Sequence, residues 1–220
     1  VSNQPKSAEL ASALSRAMTD IHQRGWCDGT GGNFSCVLST SPLTLLMAPS
    51  GVDKGAVVPE SLITVDGDGR VLQGKGRASA ETRLHMTIVE TTGAGAVLHT
   101  HSQAGTLLSL QHRPRDGGVG CFSISDLEMI KGLEGMNTHA TTVQLPVLAN
   151  DQDLKRLSAL ARPLLRDAPK GLLVAGHGLY VWGKDLQQAR RHLEIHEFLL
   201  EQAWRQLLLQ ALLDSPATQS

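Results

Sequence analysis

Two histidines separated by one residue, His99-Thr100-His101, close a short apolar run, Ala96-Val97-Leu98. A third, His177, stands between two glycines after another apolar run, Leu172-Leu173-Val174. In a strand, side chains at i and i+2 leave the same face, so the rings of His99 and His101 point together and can share a metal ion. A strand end is also where α/β proteins place ligands. Three neutral imidazoles with a fourth position open make a zinc centre of the catalytic kind. The pair also fits a polar strand end with two solvated rings, and His177 also fits a turn histidine. Spacing leaves both readings standing.

The other candidates divide the same way. His192 and His196 have the i, i+4 spacing that permits chelation, but His192-Leu-Glu-Ile-His196 lacks the H-E-x-x-H order. No glycine or loop marks an open site beside them, so both are expected to pack or face solvent, as is His85. Glu81 follows Ser79-Ala80 at a helix start, where a carboxylate suits the macrodipole. Ser125-Asp126-Leu127-Glu128 fits the S-x-x-E capping box, with Glu128 closing a helix end. Thr30-Gly31-Gly32-Asn33 and Ser50-Gly51 are turn-forming segments whose N–H groups can be aimed at an anion. They serve equally as plain turns. Neither matches a Walker loop or G-x-G-x-x-G, so a nucleotide is not indicated.

These residues must be positioned by elements that the periodicity outlines. Leu10, Leu14, Met18 and Ile21 predict a helix between Ser7 as N-cap and Gly25 as stop. Short strands are predicted over 34–38, 43–47 and 62–65, with hairpin chemistry at 65–71. A helix over 79–92 precedes the strand ending in His99, and Ser102 caps a helix through Leu110. Further strands are predicted over 120–124 and 143–148, with Ser125 opening a short helix and Asn150 capping one that carries Leu154, Leu157 and Leu160. Two strands flank His177, and a last helix of about thirty residues runs from near Asp185 to about Leu213. Strands and helices interleave without a linker, which predicts one α/β domain over 1–214, helices covering a sheet, and a disordered tail at 215–220.

Composition narrows the functional classes. Hydrophobic residues are 41% and charged residues 19% of the 220, a globular mix rather than a disordered one. Twenty basic residues against 21 acidic ones leave a net charge of −1, so there is no global field for nucleic acid or an anionic membrane. Aromatics, at 3%, are too few for single-strand stacking platforms. Three cysteines, Cys27, Cys36 and Cys121, form no C-x-x-C and read as reduced thiols. No apolar run approaches the ~18 residues of a membrane span, and the first residues lack a leader's apolar core. A soluble cytoplasmic protein is expected.

The segments Gly31-Gly32-Asn33-Phe34-Ser35, Ser50-Gly51, Ser79-Ala80-Glu81, His99-Thr100-His101-Ser102 and Gly176-His177-Gly178-Leu179 span nearly the whole chain. In that set and order the chain resembles the class II aldolase family, the zinc-dependent sugar-phosphate aldolases and their relatives. Four longer segments resemble its dehydratase branch, which acts on a methylthio-ketopentose phosphate in methionine salvage. They are Gly93-Ala-Gly-Ala-Val-Leu-His-Thr-His-Ser102, Leu127-Glu-Met-Ile-Lys-Gly132, Asn150-Asp-Gln-Asp153 and Gly176-His-Gly-Leu-Tyr-Val-Trp-Gly183.

The resemblance implies a three-layer α/β/α fold whose central, mostly antiparallel sheet is covered by helices. It implies that His99, His101 and His177 ligate one zinc ion per subunit and that Glu128 is the catalytic acid/base. Glu81 matches the catalytic glutamate of the sugar-phosphate aldolases, which makes it a second candidate. The implied phosphate pocket comprises Gly32, Asn33, Ser50, Gly51 and Ser79, with Ala80 where some aldolases have a further serine. Lys131, one turn after Glu128, lowers that carboxylate's pKa, touches substrate, or is a surface lysine. Dehydration of a sugar phosphate is the expected activity. The alternatives are cleavage of a deoxysugar phosphate and a non-catalytic zinc-stabilised interaction module. Family members are often cyclic homotetramers with the site at a subunit boundary, and a homotetramer is expected here.

Overall fold

The computed structural model describes residues 4–214, with side chains from residue 7 onward. In chain order, α1 (Gln4–Gln23) leads to β1 (Asn33–Thr40), β2 (Leu43–Met47), β3 (Ile63–Asp66) and β4 (Val71–Gln73). Then come α2 (Thr82–Thr92), β5 (Ala96–Thr100), α3 (Gln103–Gln111) and β6 (Val119–Ser125). The chain closes with β7 (Thr142–Leu148), α4 (Leu154–Ala161), β8 (Gly171–Val174), β9 (Gly178–Gly183) and α5 (Leu186–Leu213). All these strands form one sheet, ordered β4-β3-β2-β1-β5-β9-β8-β7-β6. Neighbours pair antiparallel except β7 with β8.

Strand alternation supplies a core on each face of this sheet. Ala96 and Leu98 of β5 face the layer formed by α1, α3 and α5, where Leu14, Met18, Leu108, Leu193 and Leu200 are buried. Val97 faces the other way, toward Leu84 and Ile88 of α2 and Leu157 and Ala161 of α4. The result is the three-layer α/β/α sandwich expected. β5 lies between β1 and β9 at the centre of the sheet, and all five of its residues are buried. No helix among the described residues is long and apolar enough to cross a membrane.

Local details correct three expectations. α1 begins at Gln4, so Ser7 lies inside it rather than capping it. α4 is capped by Asp153, not Asn150; the Asp153 carboxylate accepts from the N–H groups of Lys155 and Arg156. Ser125 opens no helix, because it still pairs with Thr142 in the β6–β7 ladder and their hydroxyls meet at 2.8 Å. Asp126 then takes a left-handed backbone (φ 59°), and a 3-10 turn begins only at Glu128. The expected tail at 215–220 lies outside the described residues.

Candidate metal centre

The register of the central strands gathers the site. Asn33 of β1 lies opposite His99 of β5, which lies opposite Tyr180 of β9, so three strands contribute one row. Tyr180 stacks on the His99 ring, centroids 3.8 Å apart and planes 10° from parallel. His101 lies just past β5, its N–H donating to the carbonyl of Trp26 at 2.7 Å. His177 lies in the tight turn between β8 and β9, closed by its N–H on the Val174 carbonyl at 3.0 Å. Gly176 takes φ +64° in that turn, a conformation that favours glycine. Gly32 is left-handed too (φ +76°), and a Cβ there would lie 2.7 Å from the His99 carbonyl oxygen. The glycine-rich loop therefore lies directly against the end of β5.

These placements bring His99, His101, His177 and Glu81 together, with one ligand atom from each within 4.8 Å of all the others. Nε2 of His99 lies 2.8 Å from Nε2 of His101 and 3.3 Å from Nε2 of His177. Oε1 of Glu81 is 2.8 Å from Nε2 of His177 and 3.8 Å from Nε2 of His99. Although Glu81 stands at the start of α2, its carboxylate makes no cap bond. It turns into the cluster, held by a short hydrogen bond from the Asn33 amide. The carboxylate expected to serve the helix start thus lies among the rings instead.

Burial holds His99 well below the usual imidazole range and lowers His101, with the charge of His177 adding to the latter effect. Burial also works against the Glu81 carboxylate, but its hydrogen bond with His177 and its attraction to the three rings prevail and hold it down at about 2. The site thus sets an ionised carboxylate beside His99 and His101, whose charged forms burial disfavours. Nδ1 of His99 meets the Leu179 carbonyl at 2.9 Å and must donate to it, which leaves the Nε2 lone pair pointing into the cluster. Lone pairs so close repel unless a cation lies among them, and a proton can serve only one pair. A divalent ion serves all three rings and the carboxylate. The observed ring spacing is near the ~3.3 Å expected of two imidazole nitrogens bonded to one ion at ~2.0–2.1 Å. The donor set fits a metal ion.

Of the implied phosphate residues, Gly32, Asn33 and Ser79 adjoin this cluster. Asn33 is the residue that holds Glu81, and the Ser79 hydroxyl accepts from the Glu81 N–H at 3.3 Å. Ser50 reaches the same segment through its N–H, 2.9 Å from the Arg77 carbonyl. Glu128 and Lys131 are elsewhere. They pair with each other at 2.6 Å on the surface, with His139 3.6 Å from Glu128. Lys131, through its hydrogen bond and charge, lowers the Glu128 carboxyl. Register explains the separation. Val119 lies opposite Leu148, and Leu148 opposite Val174 at the metal end of the sheet, so β6 runs away from the site to Ser125.

The remaining histidines pack as expected. His192 and His196 are buried on α5 and donate to the carbonyls of Trp182 and Pro169. His85 is buried against Ser35. Cys121 is exposed on β6, whereas burial pushes the Cys27 and Cys36 thiols up to about 11 and 12, leaving them unreactive. Three supporting residues escaped the sequence reading: Tyr180 beneath His99, Glu197 on α5 and Lys54. Glu197 accepts from the Thr100 hydroxyl at 2.5 Å, fixing the backbone between the two strand-end histidines. Only the excess polarity of Lys54 and Glu197 among apolar neighbours could have flagged them.

Comparison with known proteins agrees with this geometry. The family described as "Class II Aldolase and Adducin N-terminal domain" matches residues 12–204. The chain is 40% identical over 194 residues, 87% of either chain, to a methylthioribulose-1-phosphate dehydratase of Xanthomonas campestris pv. campestris (strain 8004). It is 42% identical over 181 residues to the protein of the same name from Gluconobacter oxydans (strain 621H), covering 82% of this chain and 84% of that one. Among solved structures it is similar to L-fuculose-1-phosphate aldolase from Thermus thermophilus. The TM-score is 0.73 at 25% identity, over 93% of this chain and 98% of the other.

Proposed function

The chain belongs to the class II aldolase family, and from that premise we propose that it is a zinc-dependent dehydratase of methionine salvage, converting 5-methylthioribulose 1-phosphate to the 2,3-diketone phosphate. The observation that carries this reading is the convergence of three imidazoles and one carboxylate at the end of β5. Relatives bearing the dehydratase name align over most of both chains. The all-imidazole first donors suit zinc.

His99, His101 and His177 would hold the ion, which when bound supplies Lewis-acid polarisation of the substrate's ketone. The chain's own residues do the rest. Gly32, Asn33, Ser50, Gly51 and Ser79 form the phosphate pocket and orient C3 and C4 of the ketose. Glu128 reaches the substrate from a neighbouring copy of the chain in a homotetramer, since its own strand leads away from the site. As a carboxylate it takes the C3 proton, and the electron pair left on C3 forms the C3–C4 double bond as the C4–O bond breaks. The same group then gives its proton to the departing hydroxyl, which leaves as water, and the enol ketonises. A positioned acid–base group of this kind contributes about 10²–10⁴-fold.

A second reading rests on one specific observation: Glu81, not Glu128, touches the rings within the chain. In that reading Glu81 is the acid/base, as in the aldolases of the family. Incubation with 5-methylthioribulose 1-phosphate and, separately, with fuculose 1-phosphate tests the proposal. A diketone from the first and no aldehyde from the second is the expected result. Aldehyde release alone would end the dehydratase reading.

A further inference from the structure

Lys54 is 1% exposed, yet among the described residues its ammonium has no carboxylate within ion-pair distance. Burying a cation without a paired carboxylate is costly, and besides its carbonyl partners Lys54 has only the more distant attraction of Cys27, Asp53 and Glu81 to offset burial. The ammonium donates to two backbone carbonyls, Thr30 and Val52, each at 3.0 Å. Thr30 precedes Gly31-Gly32-Asn33 and Val52 follows Ser50-Gly51, so this one side chain ties together the two loops read above as the phosphate pocket. Asp53 secures the lysine's own turn by accepting from the Gly55 N–H at 2.8 Å. An ammonium has three N–H groups, and the two carbonyls use two of them.

We propose that Lys54 is a positioning and specificity-determining residue of the anion pocket. Its buried ammonium clamps the 30–33 loop to the 50–52 loop and supplies the fixed positive charge that selects a substrate carrying a phosphate monoester dianion. The proposal rests on the phosphate-pocket reading and adds the missing cation to it: the loops offer N–H dipoles, and Lys54 offers a whole charge. The charge acts from behind the loops, so the residue need not touch the phosphate.

The test compares native protein with Lys54→Met, which keeps most of the stem without the charge, and Lys54→Gln, which keeps donors without the charge. Metal content and thermal unfolding are measured first, then inhibition by inorganic phosphate, and KM and kcat for the ketose phosphate. Both variants are expected to retain metal. KM and the phosphate inhibition constant should rise together by about tenfold or more, the scale of a lost charge-assisted contact, while kcat changes far less. A folded Met variant that binds phosphate like native protein would overturn the role of Lys54 while leaving the pocket intact. Native protein that shows no phosphate inhibition would overturn the pocket itself. If neither variant folds, the native chain decides through the ¹⁵N signal of its buried lysine ammonium, assigned by its loss in Lys54→Arg. Phosphate must shift that signal, and an unmoved signal refutes the proposal.

Discussion

Gly31 is not in a left-handed conformation, so alanine there meets no backbone penalty. Its Cβ would nevertheless lie 2.8 Å from Nδ1 of His101 and 3.2 Å from the Asp28 carbonyl oxygen. The first distance is about 0.6 Å inside ordinary contact, and the backbone oxygen blocks escape on the other side. The His101 ring must therefore move by about half an ångström, when metal–ligand distances hold within roughly ±0.2 Å. Overpacking of this kind costs ~1–3 kcal/mol. Because the ring is the part free to give way, the cost falls on metal affinity, a loss of about 10–100-fold. The assay is metal content after dialysis against a graded chelator, with thermal unfolding of the metal-free protein as control. Gly31→Ala is expected to lose metal at lower chelator while its metal-free stability stays near native. Native metal retention in Gly31→Ala would refute the close packing of the glycine loop on the ring.

Three further outcomes follow from the same structure. Chelation should abolish turnover while the far-UV signal persists, because both hydrophobic layers are built from apolar side chains that are not metal ligands; unfolding on chelation would favour a structural metal instead. Glu81→Gln and Glu128→Gln, assayed side by side with metal content checked, separate the two acid/base readings: the true one lowers kcat by about 10²–10⁴-fold, and the other does not. Glu197 is held up at about 7, chiefly by burial, so the folded state binds a proton there that the unfolded state releases above about 4.5. Glu197 therefore contributes stability as pH falls from 7 toward 4.5 and loses it as pH rises through 7. His196, lowered to about 4 chiefly by burial, acts in the opposite sense, and its contribution is lost as pH falls below 6.5. Denaturant unfolding at pH 7 and pH 5 should show Glu197→Gln losing roughly 2 kcal/mol more than native protein on that acid shift. Parallel losses would contradict a neutral carboxyl at Glu197.

Much of this was legible in the sequence. The apolar runs before His99 and His177 marked both strands, and their glycine and strand-end settings made the rings candidate ligands. What local pattern could not carry was long-range register. Glu81 reads as a helix-start residue because capping rules concern only the next few residues, whereas its partners Asn33 and His177 are 48 and 96 positions away. The Ser125–Glu128 capping box fails for the complementary reason: cross-strand pairing with Thr142 keeps Ser125 in the ladder. Lys54 was invisible because lysine is almost never fully buried, and only the meeting of two loops makes room for its ammonium.

Everything proposed here requires three rings from two distant segments to share one ion. Anomalous diffraction from crystals grown with zinc, recorded on either side of its absorption edge, locates that ion. A single strong peak bonded to Nε2 of His99, His101 and His177 alike is expected. A peak that leaves out any one of the three rings, or one found only at other histidines, would contradict it.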